Sequence, residues 1–440
     1  MSWEILYEKK KVSIEDAIKK IKSGDRVVVG QAAGDSFPLT KELVNQRDRL
    51  KDVQLIQNIA LGKAEQCQEP MEDSIKYKTF FVGPGSRKSV AERRSEFIPS
   101  YFSELPRLFN EKIIPVDVAI LHLSPPNENG YLSYGTSPDY IKAGAENAKM
   151  IIAEVNQQMP YTYGSLIHVS ELNYLVETDR PLYELQPAKL TEVEESIGKS
   201  VAELIPDGAN LQLGIGGIPD AILNYLYDKK DLGIHTEMFS DGVIDLYEKG
   251  VITNKYNNLN PGRFTTTFVM GTRKLYDFVH KNEAINFYPV DYTNSIMIAA
   301  RVNNLISINS AIQVDLHGQV CADTIGYTQY SGVGGQVDFV KAASLSKGGK
   351  SIIALSSTAK NNTISRIVLK LTDGACVTTS RHDVHYVATE YGIVNLKGKS
   401  VEDRAKSLIG LAHPNFRDQL TREACEAGMI KKSEAYALTK

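Results

Sequence analysis

The chain is poor in cysteine: four in 440 residues, Cys67, Cys321, Cys376 and Cys425, with no Cys-x-x-Cys pair and no framework spacing. That pattern excludes a disulfide scaffold and a zinc ribbon, and reads as ordinary reduced thiols in a cytosolic protein. Charge of either sign is also missing in excess. The balance is −3, with no basic surplus to suit nucleic acid and no acidic run to suit a disordered tail. No apolar stretch approaches the length that crosses a bilayer, and Met1-Ser2-Trp3-Glu4 lacks the charged-then-apolar pattern of a secretory leader. What remains is a globular chain expected in the cytoplasm, without nucleic acid or membrane as a partner. Its length implies two or three domains.

Apolar β-branched runs alternate with amphipathic helices. Strands are expected at residues 26–29, 53–59, 116–122, 150–154, 210–213, 305–308 and 351–355, and helices at 14–22 and 193–204. Such alternation predicts an α/β fold with mainly parallel sheets flanked by helices. Residues 21–30 (IKSGDRVVVG) align without a gap on residues 205–214 (IPDGANLQLG), each block following a helix and opening an extended run that ends at glycine. Residues 117–135 and 305–326 also run alike: strand, turn, glycine, short strand, glycine. Two similar open α/β domains are therefore expected, 1–190 and 191–440, with a ligand cleft between them.

Glu237 is the most informative single residue. It lies in residues 233–243 (GIHTEMFSDGV), a run that reads as one short strand, and a carboxylate among apolar neighbours is costly without a reason. Two glycine-rich turns occur on either side of it in sequence. In Gly214-Ile215-Gly216-Gly217-Ile218-Pro219, Gly216 and Gly217 allow close backbone approach to a ligand, Pro219 suits the first turn of a helix, and the helix start favours an anion. A dinucleotide-binding fingerprint is the rival reading there, although its third glycine is replaced by Pro219, and a plain tight turn is another. In Ser331-Gly332-Val333-Gly334-Gly335-Gln336, several N–H groups form a nest able to hold an oxyanion; a surface turn is the alternative. A carboxylate between two such turns suggests covalent chemistry with Glu237 as nucleophile, against the plainer reading of a solvated strand-end charge. Asn309 orients a ligand or caps a turn, and Glu390 is a second carboxylate entering a glycine turn. Arg87, Lys88, Arg93 and Arg94 form a solvated face or a phosphate contact. His382 and His385 have metal-like spacing but no third ligand nearby, so no metal is expected.

Together these segments resemble the acetyl-CoA hydrolase/transferase family of class I coenzyme A transferases, and within it look most like the bacterial 4-hydroxybutyrate CoA-transferases. The likeness covers nearly the whole chain. It is carried by residues 211–221 (LQLGIGGIPDA), 233–238 (GIHTEM), 240–243 (SDGV), 331–339 (SGVGGQVDF), 123–130 (LSPPNENG) and 153–156 (AEVN). The resemblance implies two domains of the sugar-phosphate-isomerase type, with the active site in the interdomain cleft and a catalytic glutamate at Glu237 in the C-terminal one. It implies a thioester lying under Gly334 and Gly335, with Gly335 as oxyanion donor, opposite Gly214, Ile215, Gly216 and Gly217. Asn309 and Glu390 match positions that line the site. Gln31 stands where some 4-hydroxybutyrate enzymes carry histidine, which bears on the acyl group accepted.

The implied reaction moves coenzyme A between a short-chain acyl-CoA, 4-hydroxybutyryl-CoA or butyryl-CoA, and acetate by a ping-pong route through a glutamyl-CoA thioester. Coenzyme A enters as a substrate, no cofactor is held permanently, and a homodimer suits the family. Two alternatives stay open at this point. Water admitted to the thioester makes the same site an acyl-CoA hydrolase, and a silent coenzyme A- or nucleotide-binding module needs no nucleophile at all.

Overall fold

Successive residues of one strand face opposite sides of a sheet, and the first half of the chain uses both sides. Val27 and Val29 enter one apolar cluster while Val28 enters another, and Val118 and Ile120 part in the same way from Ala119 and Leu121. A sheet apolar on both faces must be covered on both, which is the condition for parallel strands joined by helices. In the computed structural model, which describes residues 2–68, 71 and 73–431, these strands form a seven-stranded sheet. Its order is Glu96–Phe97, Ile75–Thr79, Val53–Gln57, Arg26–Val29, Val118–Leu123, Met150–Asn156, Tyr174–Thr178, and every pairing is parallel.

The second half repeats the plan. Its six-stranded sheet runs Gly233–Ile234, Asn210–Gln212, Leu305–Ser310, Lys350–Ala354, Tyr386–Thr389, Gly392–Asn395. Four pairings are parallel and the last is an antiparallel hairpin. The two blocks aligned in the sequence take the same topological place. Each feeds a strand flanked on one side by the next strand of its sheet in sequence, and on the other by a later one. The helix expected at 193–204 spans Glu192–Glu203 and opens on a capping box, in which Thr191 N donates to Glu194 Oε2 at 2.8 Å and Thr191 Oγ1 accepts from Glu194 N at 3.3 Å. Among the described residues no helix is long and apolar enough to cross a membrane.

The division into units is not one cut. The first compact unit comprises the residues up to Gln186 together with Thr236–Asp241 and Arg263–Ser295; the second comprises Pro187–His235, Gly242–Gly262 and the residues from Ile296 on. One crossing falls beside the boundary read from the sequence. The segment carrying Glu237, read as part of the C-terminal half, packs instead with the first unit. The physical reason is its apolar flank: Met238 and Phe268 are buried in the first unit's core, where the Phe268 ring meets Phe102 edge-on at 6.2 Å.

Candidate active site

Glu237 does not lie inside one strand. Gly233–Ile234 pairs with Asn210–Gln212, Met238–Phe239 pairs with Phe268–Val269, and Glu237 forms the bend between the two short strands. The bend is held by its backbone. The Glu237 carbonyl accepts from Thr267 N at 3.0 Å, Phe268 N at 3.1 Å and Thr266 Oγ1 at 3.1 Å. Thr236 N donates to Thr265 O at 3.0 Å, and Thr236 Oγ1 donates to Met238 O at 2.8 Å. Thr236 and Met238 are buried while Glu237 is half-buried, so the fold turns this one side chain outward from a fixed backbone.

The carboxylate has a partner that the sequence reading missed. Asn294 Nδ2 donates to Glu237 Oε2 at 2.8 Å. Asn294 is fully buried at the C-terminal end of the short helix Val290–Thr293, with its own N–H bonded to Val290 O at 2.9 Å. That helix starts on Asp139, whose carbonyl accepts from Val290 N at 3.3 Å, and Thr136 O nearby accepts from Val269 N at 3.0 Å. One oxygen of Glu237 is thus held by a neutral donor on a braced helix. No local spacing announces Asn294; only the fold brings it to a residue 57 positions away.

Gln31 lies in the same unit, fully buried just beyond the Arg26–Val29 strand. Its Nε2 donates to Asp139 Oδ2 at 2.6 Å, and its Oε1 accepts from Asn58 Nδ2 at 2.6 Å. Asp139 also accepts from Ser137 Oγ, from Tyr140 N at 2.7 Å and from Ile141 N at 3.2 Å. Burial pushes its carboxyl up to about 6, against the opposing pull of the Ser137 and Gln31 hydrogen bonds. In the 153–156 segment, Glu154 is fully buried and held by Arg180, Nε at 2.6 Å and Nη2 at 2.8 Å.

In the second unit, residues 214–217, Asn309 and Glu390 stand at the carboxyl ends of parallel strands, where open α/β sheets bind ligands. Residues 214–217 follow the Asn210–Gln212 strand and lead into the helix Gly217–Asn224. Gly216 has φ +112, with open space where a Cβ would stand, so its conformation is what requires glycine. Gly217 differs. A Cβ there would lie 2.0 Å from Glu194 Oε1, so a protein carboxylate fills the space a side chain would need. Asn309, the last residue but one of the Leu305–Ser310 strand, donates through Nδ2 to Gln212 Oε1 at 3.1 Å and to Ser307 Oγ at 2.9 Å, which ties it to the strand that opens the 214–217 loop. Gly334 has φ +53, and Gly335 is the N-cap of the helix Gln336–Leu345, which accounts for the packed apolar residues after the turn. Glu390 is engaged by Ser357, N at 2.9 Å and Oγ at 2.6 Å. The basic segment is partly consumed internally, since Arg94 pairs with Glu92 at 2.7 Å and donates to Cys67 O at 2.9 Å. Among the described residues no group of three or more His, Cys, Asp or Glu is placed to hold a metal ion.

Two family models match this chain. The acetyl-CoA hydrolase/transferase N-terminal domain covers residues 1–184 and the acetyl-CoA hydrolase/transferase C-terminal domain covers residues 271–424. The chain is 50% identical over 424 residues to the 4-hydroxybutyrate coenzyme A transferase of Clostridium kluyveri, an alignment spanning 96% of this chain and 99% of that one. It is 41% identical, over 96% of this chain and 97% of the other, to the succinyl-CoA:cyclohexane-1-carboxylate CoA transferase of Geobacter metallireducens. The crystal structure of RipA from Yersinia pestis matches with a TM-score of 0.93 at 38% identity, covering 98% of this chain and 100% of that chain. The chain belongs to the acetyl-CoA hydrolase/transferase family. Within it, the chain is an enzyme of the coenzyme A transferase class.

Proposed function

We propose that this enzyme moves coenzyme A between a short-chain acyl-CoA, 4-hydroxybutyryl-CoA or butyryl-CoA, and acetate, with Glu237 carrying the coenzyme A as a glutamyl thioester in a ping-pong cycle. The observation that carries the reading is the Glu237–Asn294 pair, a half-buried carboxylate with one oxygen held at 2.8 Å by a buried amide. The 50% identity to a 4-hydroxybutyrate coenzyme A transferase supports the acyl group named first. A relative at 41% identity is named for a different acid, so the acyl group is decided by local residues and not by the fold.

In this reading the two oxygens of Glu237 take different roles. Oε1 of Glu237 attacks the acyl-CoA carbonyl carbon, the tetrahedral oxyanion collapses, and coenzyme A leaves as a thiolate from a mixed anhydride. The thiolate then attacks the Glu237 carboxyl carbon. Negative charge builds on Oε2, the oxygen facing Asn294 Nδ2, and the first acid leaves as its carboxylate, taking Oε1. Acetate attacks the resulting thioester at the same carbon, charge returns to Oε2, and the cycle runs backward to acetyl-CoA. Asn294 thereby donates most strongly where charge develops, the arrangement that lowers barriers. The N–H groups of Gly334 and Gly335 serve the acyl oxyanion in this reading, and residues 214–217, Asn309 and Glu390 serve the coenzyme A substrate. Water must be excluded, since it would hydrolyse anhydride and thioester alike. The reading takes the cytoplasm as the location, supported by four free cysteines, and a homodimer as the assembly.

The test is the intact mass of the protein after brief incubation with 4-hydroxybutyryl-CoA or butyryl-CoA and no acceptor acid. A coenzyme A-sized adduct that maps to Glu237 and vanishes on adding acetate is the expected result. Glu237→Gln, which keeps the shape and loses the nucleophile, should give no adduct and no turnover. Adduct-free turnover by the wild type, or normal turnover by that variant, refutes the mechanism. Release of free coenzyme A without any acid requirement would make the enzyme a hydrolase instead.

A further inference from the structure

The turn 331–336 carries glycine at 332, 334 and 335, so its backbone has many conformations to lose before its N–H groups point one way. Both ends of that turn are tied to one bracket, formed by residues 320–324 and 376–379. The two segments run antiparallel: Thr379 N donates to Val320 O at 3.1 Å, Val320 N to Thr379 O at 3.1 Å, and Cys376 N to Thr324 Oγ1 at 2.8 Å. At the entry to the turn, Asp323 O accepts from Tyr330 N at 2.8 Å and from Ser331 N at 3.0 Å. These bonds close the base of the hairpin in which Thr324–Ile325 pairs with Thr328–Gln329. At the exit, Gln336 opens the helix Gln336–Leu345 and donates through Nε2 to Thr379 Oγ1 at 3.1 Å, on a threonine that is fully buried.

One side-chain bond locks the bracket. The Thr378 hydroxyl accepts from Ala322 N at 2.8 Å and donates to Asp323 Oδ1, so it spans the two segments beside the carbonyl that holds the turn. The other carboxylate oxygen, Oδ2, accepts from Gln329 Nε2 at 3.2 Å, and that amide also donates to Ser331 O at 2.9 Å. A carboxylate accepts and does not donate, whereas a hydroxyl does both, so each residue type fits its place. We propose that Asp323 and Thr378 are positioning residues, acting through the turn 331–336 to aim the N–H groups of Gly334 and Gly335. Neither side chain is asked to touch substrate. The proposal rests on the transferase reading above, in which those N–H groups serve the acyl oxyanion. Such donors act by being aimed before charge develops, and a misplacement of about 1 Å costs about 100-fold.

The experiment follows single-turnover formation of the coenzyme A adduct on Glu237 with saturating butyryl-CoA, and reads its rate and its amplitude separately. Thr378→Val keeps the shape and removes the hydroxyl. It should form the adduct to full amplitude but about 10-fold or more slowly, a partial misplacement on the scale above. Thr378→Ser, which keeps the hydroxyl, should restore the rate. Asp323→Asn sets an amide N–H where one of two donors, Thr378 Oγ1 or Gln329 Nε2, needs an acceptor, and should also slow the rate at full amplitude. A merely structural role would lower the amplitude or the melting temperature and leave the rate of the folded fraction unchanged. A wild-type rate in Asp323→Asn or in folded Thr378→Val overturns the proposal, and so does a Thr378→Ser enzyme as slow as Thr378→Val. The transferase reading survives those results, because the wild type still forms the adduct. A wild type that forms no adduct takes both down.

Discussion

Replacing Asn294 by alanine isolates the step in which charge builds on Glu237 Oε2. The structure places an amide donor at 2.8 Å from that oxygen, on a side chain with no solvent access. A hydrogen bond to a charged group contributes about 1.5–3 kcal/mol to a ground state. Charge on Oε2 is greater in the tetrahedral intermediates than in the resting carboxylate, so the differential effect resembles loss of one oxyanion-hole donor, about 10²–10³ in kcat. Water has little room to replace the donor, because Asn294 is buried. Each half-reaction contains one attack on the Glu237 carboxyl carbon, so adduct formation and adduct discharge should slow together.

The assay is single-turnover formation of the coenzyme A adduct, then its decay on adding acetate, each followed by mass and by released coenzyme A. Circular dichroism and the melting temperature report whether the variant is folded. Asn294→Asp is the sharper companion, since it sets a second carboxylate against Glu237. Two carboxylates in hydrogen-bond contact raise the upper pKa of the pair, so at neutral pH both are ionised only at a cost in repulsion. As pH falls through that raised value one proton is taken up, and the protonated partner donates again. The Asn294→Asp enzyme should therefore regain rate between about pH 8 and pH 5.5 relative to the wild type. A folded Asn294→Ala enzyme within about threefold of wild-type kcat, or an Asn294→Asp enzyme with the wild-type pH profile, refutes the reasoning, since the expected loss is far larger.

Three further outcomes are expected. Gly335→Val, at the N-cap of the helix Gln336–Leu345, should lower kcat more than it raises the KM for acyl-CoA; equal effects on both would remove Gly335 from oxyanion donation. Asp117 accepts from Arg26 Nε at 2.8 Å and from Lys149 Nζ at 2.7 Å, and the Arg26 hydrogen bonds hold its carboxyl well below the usual range. A depressed carboxyl stabilises the fold above its unfolded pKa, and that contribution is lost as pH falls through the folded value. Asp117→Asn should thus cost about 1.5–3 kcal/mol at pH 7 in urea unfolding, with the gap to wild type closing in strong acid. Phe268→Ala, which empties the contact with Phe102 in the core, should cost about 3–5 kcal/mol and lower the melting temperature.

Much of the fold was legible because its physics is local. The strand at Arg26–Val29 has its expected bounds, and Met150–Asn156 runs two residues past its expected end, since runs of β-branched residues between turn signals leave few other options. The bend at Glu237 was not legible. Ile234 and Met238 read as one apolar run, but they pair with strands from distant parts of the chain, Asn210–Gln212 and Phe268–Val269, and no local pattern encodes that. Asn294 was hidden for the same reason: it follows Thr293 and precedes Ser295 at the end of a four-residue helix, a sequence indistinguishable from an ordinary polar helix end. The interleaved division of units is also long-range, because the segments Thr236–Asp241 and Arg263–Ser295 return to the first unit through packing of Met238 and Phe268. Gly217 was legible as a glycine requirement, whereas the group beside its Cα, Glu194, is brought there only by the fold.

Both polar devices in the first unit obey one rule: an acceptor-only carboxylate sets the orientation of an amide. Asp139 orients Gln31, and Glu237 orients Asn294. In the second case the rule carries a cost, because Asn294 Oδ1 is buried without a hydrogen-bond partner among the described residues, a burden of about 1–3 kcal/mol. A hydrophobic residue of similar size would avoid it. What the amide gives in return is a donor suited to both states of Glu237, since Oε2 remains an acceptor in the carboxylate and in the glutamyl thioester carbonyl. A lysine there would favour the resting carboxylate by charge attraction and would lose that attraction once the thioester formed. A neutral donor loses far less, so it binds the resting carboxylate without trapping it and keeps the strongest interaction for the oxyanion between the two states.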